Sequence, residues 1–176
     1  VGKIGAVIVE KFSKLGCCIL AYDSTINKDL KEITEWFTPP MLDEFLKKTD
    51  VLVISLPLNK KTYHLINHEK LDSLKDGSII VNISRAQIVD NIALLERLKQ
   101  NRIYAVLDVF EHEPLRKNDR LWSQNNVIIT PHIAGNVNII SKEIQTDFIS
   151  KVLKMDMNPS ICPDLSSELM APNFID

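Results

Sequence analysis

The sequence predicts an α/β fold, a doubly wound parallel sheet with helices on its faces. Three observations predict it. Almost wholly apolar runs recur at residues 17–22, 51–56, 79–82, 103–109 and 127–130, lengths that suit strands. Apolar residues spaced by three and four lie between several of these runs and read as helices. Strand and helix signals therefore alternate, which is the pattern of parallel strands joined by crossover helices.

The chain of 176 residues is 45% hydrophobic and 25% charged, and is long enough to bury the core of one domain. Its formal net charge of −2 gives no basic excess, so the electrostatic footprint of a nucleic-acid binder is missing. No apolar run reaches the roughly 20 residues that span a bilayer, and no stretch reads as a signal peptide. Cys17, Cys18 and Cys162 are odd in number and lack metal-ligand spacing. A reducing cytoplasm is the expected setting. The first residue is Val1 rather than methionine, which suggests a piece of a longer gene product.

Taken in order, Gly2 and Gly5 open a helix that carries Ile4, Ile8, Phe12 and Leu15 on one face and stops at Gly16. A buried strand follows over 17–22, with Asp23 at its tip. Residues 33–37 form a shorter strand rich in β-branched and aromatic side chains. Thr38 is the expected N-cap of a helix with Pro39 and Pro40 in its first turn and Leu42, Phe45 and Leu46 inside. The run 51–56, closed by Pro57, reads as a strand buried on both faces. Residues 68–74 read as polar connection, and Asp76-Gly77 turns the chain into the strand 79–82. Asp90 then caps a helix holding Leu94, Leu95 and Leu98. Strands at 103–109 and 127–130 enclose a polar loop, and Ile140, Ile144, Phe148 and Val152 mark a last helix. From about residue 155 no period remains. The expected division is a dinucleotide-binding domain over 1–155, and a tail or connection to another domain over 156–176.

In such sheets ligands bind beyond the carboxyl ends of the strands. Asp23, Pro57, Arg85, the stretch 108–113 and His132 all fall on that edge. Asp23 lies eighteen positions after Gly5, near the spacing at which an acid meets the ribose hydroxyls of NAD, and its charge disfavours the 2′-phosphate of NADP. Gly2 and Gly5 fit the last two glycines of a turn that brings backbone amides to a pyrophosphate. A plain helix start and a solvated acid are the ordinary alternatives. Arg85, Glu113 and His132 form the candidate catalytic set: a cation to hold a carboxylate, an acid, and a histidine whose protonated form that acid favours. Taken singly, each also reads as a surface charge or a cap. Their meeting at three successive strand ends makes the case for a site. His64, His68 and His112 lack such company and read as solvated, residues 111–113 lack a second ligand cluster for a metal, and Trp36 and Trp122 read as packing residues.

The segments Asn82-Ile83-Ser84-Arg85, Leu107-Asp108-Val109-Phe110-Glu111-His112-Glu113-Pro114 and Thr130-Pro131-His132-Ile133-Ala134-Gly135 resemble the signatures of the D-isomer-specific 2-hydroxyacid dehydrogenases. With Gly2, Gly5, Asp23 and Leu56-Pro57-Leu58, the resemblance runs to about residue 155. It implies a Rossmann-like fold and hydride transfer between NAD and a D-2-hydroxy acid and its 2-oxo acid. It implies that Arg85 binds the substrate carboxylate and carbonyl, and that Glu113 pairs with His132, which passes the proton. It places Lys3 and Ile4 at the pyrophosphate, Leu56, Pro57 and Leu58 along the adenosine, and Asp108 at the nicotinamide carboxamide. Ile83, Ser84, Arg85, His132, Ala134 and Gly135 join these as expected cofactor contacts. Formate dehydrogenases of similar fold carry glutamine where Glu113 stands, so a 2-hydroxy acid is the expected substrate class, and a homodimer is the expected assembly. Ala86 replaces a usual glycine, and Tyr104 a smaller residue. The resemblance also implies that the first strand of the sheet, which lies between the strands ending at Asp23 and Leu56, and the substrate domain are missing. Two other readings remain open at this point: an NAD-sensing corepressor-like binding protein of the same fold, and an inactive fragment.

Overall fold

The computed structural model describes residues 1–135. The helix expected around 140–152, Cys162 and the segment 156–176 lie outside the described residues. The described elements follow the order α1 (Lys3–Lys14), β1 (Ile19–Tyr22), β2 (Ile33–Phe37), α2 (Leu42–Lys48), β3 (Val51–Ile54), α3 (His68–Ser73), β4 (Ser78–Asn82), α4 (Asn91–Lys99), β5 (Ile103–Leu107) and β6 (Val127–Ile129). Every strand pairing is parallel. Strands β1 and β2 form one sheet, and β3-β4-β5-β6 form a second in that order. Among the described residues β1 and β3 are not paired with each other, and they are the strands expected to flank the first strand.

The register of the larger sheet decides where the chemistry sits. Ile54 pairs with Asn82, Asn82 with Leu107, and Leu107 with Ile129. The strands thus end level with one another, and the loops that begin at Ile83, Asp108 and Thr130 leave from one edge.

Helices α2, α3 and α4 form a layer on one face, with Phe37, Leu46, Leu71, Ile80, Leu94 and Leu98 fully buried beneath it. Each such side chain contributes about 1.5–3 kcal/mol by leaving water. On the other side α1 covers β1, where Val9, Ala21 and Ile33 form a smaller cluster. The two faces of the larger sheet are covered unequally: Leu52, Ile54, Ile80, Ala105 and Leu107 are buried, whereas Val51, Val53, Ile79, Val81 and Val106 are half-buried. The expectation that the 51–56 strand is buried on both faces is therefore corrected for the described residues. Among them no helix is long and apolar enough to cross a membrane.

Further corrections have physical causes. The face of α1 that carries Ile4, Phe12 and Leu15 points outward, with Ile4 62% exposed, and the helix buries Gly5 and Val9 instead. Gly5 lets the helix approach the end of β3, since a Cβ there would meet Ser55 Oγ at 3.3 Å and a Val1 methyl at 2.7 Å. Thr38 does not cap α2. It and Pro39 both precede prolines, which disfavours helical geometry, and the helix starts after Met41. The stretch 68–74 is largely helical, because the Asn67 side chain accepts the Lys70 N–H and Leu71 is buried. Asp90 caps α4 as expected, accepting the N–H groups of Ile92 and Ala93. Trp122 is 55% exposed and donates its indole N–H to the Arg116 carbonyl, so it is no core residue. His64 is half-buried, with its ring stacked on Tyr63 and its backbone N–H on the Gln87 carbonyl, rather than freely solvated.

Candidate active site

Three loops from the level strand ends build one cleft. After β4, buried Asn82 folds the chain back on itself: its Oδ1 accepts the N–H and hydroxyl of Ser84 at 3.1 Å, and its Nδ2 donates to the Arg85 carbonyl at 3.0 Å. Arg85 is thereby presented at the surface, where one guanidinium nitrogen donates to the Ser84 carbonyl at 2.6 Å. Among the described residues the remaining N–H groups of the fork have no partner and suit a ligand.

After β5, Asp108 is 2% exposed and acts as a clasp for the loop after β6. Its Oδ1 accepts from the Thr130 hydroxyl at 2.5 Å and the Ile133 N–H at 3.0 Å, and its Oδ2 from the Ala134 N–H at 3.0 Å. These bonds span His132, whose φ of 56° lies in the left-handed region that costs a non-glycine residue about 1 kcal/mol or more. The clasp holds that conformation.

Held this way, His132 donates from Nδ1 to Glu113 Oε2 at 2.7 Å, while Glu113 Oε1 accepts the Phe110 N–H at 3.0 Å. The His132 hydrogen bond, then the Phe110 N–H and the charges of His132 and Arg85, hold the Glu113 carboxyl below the usual carboxylate range, against burial that raises it. The imidazole is fixed by its Nδ1, and Nε2 is the nitrogen left for a reacting proton.

Arg85, Glu113 and His132 line the same cleft, of about 290 Å³, with Ala86, Gln87, Val109, Phe110 and Glu111. The sequence-predicted catalytic set is thus brought together. Val109, Phe110 and Glu111 belong to the stretch 108–113 that the sequence places on this edge without a role of their own, and Ala86, Gln87, Asn82 and Thr130 are site residues the sequence does not assign. Their signal is adjacency, since each stands within three positions of a singled-out residue on the same strand end.

The expected cofactor residues occupy the same sheet edge and the start of α1. Among the described residues no side chain caps α1, which leaves the first-turn N–H groups that follow Gly2 to an anion. Lys3 and Ile4 are exposed there, and Gly5 is buried. Asp23 follows β1. Its Oδ1 accepts the Thr25 N–H at 3.0 Å. Leu56 is half-buried, and Pro57 and Leu58 are exposed in a turn tied by the Thr62 hydroxyl, which donates to the Pro57 carbonyl at 2.7 Å. Ile83 and Ser84 are half-buried beside Arg85, and Ala134 and Gly135 are exposed beyond His132. An uncapped helix start, a close-packed glycine and an acid at the first strand's tip fit a dinucleotide.

Comparison with known proteins follows this geometry. Residues 1–134 match the family model described as D-isomer specific 2-hydroxyacid dehydrogenase, NAD binding domain. The chain is 36% identical over 166 residues to a glyoxylate reductase of Pyrococcus horikoshii, covering 93% of this chain and 48% of that protein. It is 34% identical over 164 residues to a D-3-phosphoglycerate dehydrogenase of Methanocaldococcus jannaschii, covering 91% and 31%. Among solved structures, a D-isomer specific 2-hydroxyacid dehydrogenase of Xanthobacter autotrophicus in complex with NADPH and MES superposes with a TM-score of 0.71 at 34% identity, covering 75% of this chain and 42% of that one. The chain spans about half the length, or less, of the proteins it matches.

Proposed function

The chain belongs to the D-isomer specific 2-hydroxyacid dehydrogenases, with residues 1–134 matching their NAD-binding domain, and from that premise we propose that it serves NAD-dependent interconversion of a D-2-hydroxy acid and its 2-oxo acid. The observation that carries the proposal is the 2.7 Å contact between Glu113 and His132 on the wall of the cleft that also holds Arg85.

The free N–H groups of Arg85 suit two parallel hydrogen bonds to a carboxylate, which would fix the 2-oxo acid with its carbonyl oxygen toward His132. In reduction His132 gives its Nε2 proton to that oxygen, and in oxidation it takes the proton back. Glu113 holds the ring and stabilises the charged imidazolium in both directions. A nicotinamide held at this edge would supply or accept the hydride. Gly2, Lys3, Ile4 and Gly5 would meet the pyrophosphate, Asp23 the ribose hydroxyls, and Leu56, Pro57 and Leu58 the adenosine side. Ile83, Ser84, Ala134 and Gly135 would border the nicotinamide. The clasp leaves Asp108 one acceptor position on Oδ2, enough for the carboxamide N–H as well. The acid at Asp23 favours NAD over NADP.

In this reading residues 1–155 act as the dinucleotide-binding domain of a two-domain enzyme, with 156–176 as connection. A homodimer and a cytoplasmic setting, which the unpaired thiols of Cys17 and Cys18 suit, belong to the same proposal. The relatives named above are reductases and dehydrogenases, which does not favour the corepressor-like alternative. The test is NADH consumption by the full chain with glyoxylate and other 2-oxo acids. Turnover that falls at least roughly 100-fold in His132→Asn supports the reading. A wild-type protein that binds NADH yet reduces no 2-oxo acid would overturn it.

A further inference from the structure

Arg85 has to be held where its guanidinium can meet a carboxylate, and the segment that carries it is too short to hold itself. After Arg85 comes a single turn of 3-10 helix, Ala86–Ile88, which is not stable alone. Asn82 fixes its near end through the Arg85 carbonyl. The far end is held from outside by an earlier part of the chain. The His64 N–H donates to the Gln87 carbonyl at 2.8 Å, the Ile66 N–H donates to the Ile88 carbonyl at 3.1 Å, and the Ile66 carbonyl accepts the Asp90 N–H at 3.0 Å. Ile66 and Val89 are thereby bridged in parallel, and both are buried. Ala86 and Gln87 line the cleft beside Arg85, so this bridge fixes part of the cleft wall.

The support itself needs closing. Residues 57–65 belong to no strand or helix, and His64 has φ 48°, a left-handed backbone that a residue with a side chain adopts only under constraint. The constraint is a hydrogen-bonded turn. Asn59 Oδ1 accepts the N–H groups of Lys61 at 2.8 Å and Thr62 at 3.2 Å, and the Asn59 carbonyl accepts the Tyr63 N–H at 2.9 Å. The Thr62 hydroxyl joins the two ends of that turn: it accepts the Asn59 N–H at 2.8 Å and donates to the Pro57 carbonyl at 2.7 Å. The Leu65 N–H then returns to the Thr62 carbonyl at 3.2 Å, which leads the chain through His64 to Ile66.

Resting on the dehydrogenase reading above, we propose that Thr62 is a positioning residue for substrate binding. Its hydroxyl closes the turn that sets His64 and Ile66, and these hold Gln87 and Ile88, and through them Arg85, where the carboxylate of the 2-oxo acid is bound. Every bond in this relay joins residues within 57–90 of the one chain.

The experiment compares the wild type, Thr62→Val and Thr62→Ser in the full chain, with the 2-oxo acid that the wild type reduces fastest. Thr62→Val keeps the shape of the side chain and removes the hydroxyl. It should raise KM for the 2-oxo acid at least about fivefold, with a smaller change in the dissociation constant of NADH read by fluorescence. Thr62→Ser keeps the hydroxyl and should return KM to within about twofold of the wild type, a rescue that packing of the threonine methyl does not give. If Thr62→Val fails to fold, amide hydrogen exchange of the wild type decides: the amides of Ile88 and Val89 should be protected no more than about fivefold better than those of His64 and Ile66, as parts of one opening unit. A larger gap would mean that the Ala86–Ile88 turn stands without its support, and would overturn the inference. So would an unchanged KM in Thr62→Val, a Thr62→Ser variant as impaired as Thr62→Val, or a loss that falls mainly on NADH binding, each of which leaves the dehydrogenase reading intact. A wild type that binds NADH yet reduces no 2-oxo acid would overturn that reading, and this inference with it.

Discussion

Glu113 grips His132 from a carboxylate that is itself anchored. Its Oε2 takes the imidazole Nδ1–H at 2.7 Å, while its Oε1 takes the Phe110 N–H at 3.0 Å. Both oxygens are used, so the acid cannot turn without losing one partner, and the ring it orients inherits that rigidity.

Glu113→Gln keeps the size of the side chain and a carbonyl oxygen able to accept, but removes the charge that stabilises imidazolium. The expected result is a fall in kcat of roughly 100-fold with a smaller change in KM for the 2-oxo acid, because the interaction strengthens as the proton moves. Steady-state kinetics of the variant measure this. An unchanged kcat would remove Glu113 from the mechanism.

The lowered Glu113 pKa has a definite pH consequence. The folded value lies below the unfolded one, so the contact adds stability at pH values above the unfolded pKa and loses it as pH falls through the folded pKa. The His132 contact should therefore survive into the acid range where an ordinary glutamate has begun to protonate. Carbon NMR of the Glu113 carboxyl should show a midpoint below that of a free glutamate, and His132→Asn should move the midpoint upward.

The catalytic set was legible in the sequence because each member follows an apolar strand, and parallel strands that end in register must bring such residues to one edge. What the residues could not reveal was direction. The α1 stripe of Ile4, Ile8, Phe12 and Leu15 is real as a period, yet most of it faces outward, because Gly5 is what fits beside Ser55. Thr38 looked like a cap until the two prolines after it pushed the helix start beyond Met41. Residues 68–74 looked polar because α3 contributes one deeply buried side chain, Leu71, and shows the rest to solvent or to its neighbours. Asp108 was legible as a cofactor contact by resemblance. Its role as a clasp depends on bonds to residues twenty-two to twenty-six positions away, which no local pattern encodes.

That clasp predicts a coupled loss. Asp108→Ala strands the Thr130 hydroxyl and the N–H groups of Ile133 and Ala134, and leaves the left-handed backbone of His132 unsupported. Stranding such partly buried donors should destabilise the domain by about 2–4 kcal/mol. Activity should fall further than the fraction unfolded accounts for, since His132 loses its place. Thermal unfolding and kcat, both measured well below the variant's Tm, separate the two effects.

Asp90 offers a control that touches helix stability without touching the cleft lining. Its Oδ1 accepts from Ile92 N–H at 3.0 Å and Ala93 N–H at 3.1 Å. Asp90→Ala should cost about 1 kcal/mol, and Asp90→Asn should recover most of it, because either side chain caps α4. Denaturant unfolding reads both variants.

Asp23 carries the prediction about cofactor choice. Its carboxylate stands at the tip of β1, beside the start of α1 where a pyrophosphate would dock, and an aspartate carboxylate is charged throughout the neutral range. A 2′-phosphate adds close to two negative charges to the ribose that this carboxylate would meet. At a separation of about 5 Å and an effective dielectric near 20, repulsion between two unit charges is about 3 kcal/mol, enough for discrimination of at least tenfold even after screening. Asp23→Ala should therefore weaken NADH binding, by loss of the ribose hydrogen bonds, while weakening NADPH binding less or improving it. Fluorescence titration of wild type and variant with each nucleotide measures the ratio of the two dissociation constants. A ratio that shifts toward NADPH by about tenfold places the charge of Asp23 at the ribose. Equal weakening of both nucleotides would mean that Asp23 acts through the conformation of the β1 loop, where it holds the Thr25 N–H, and that cofactor choice is made elsewhere.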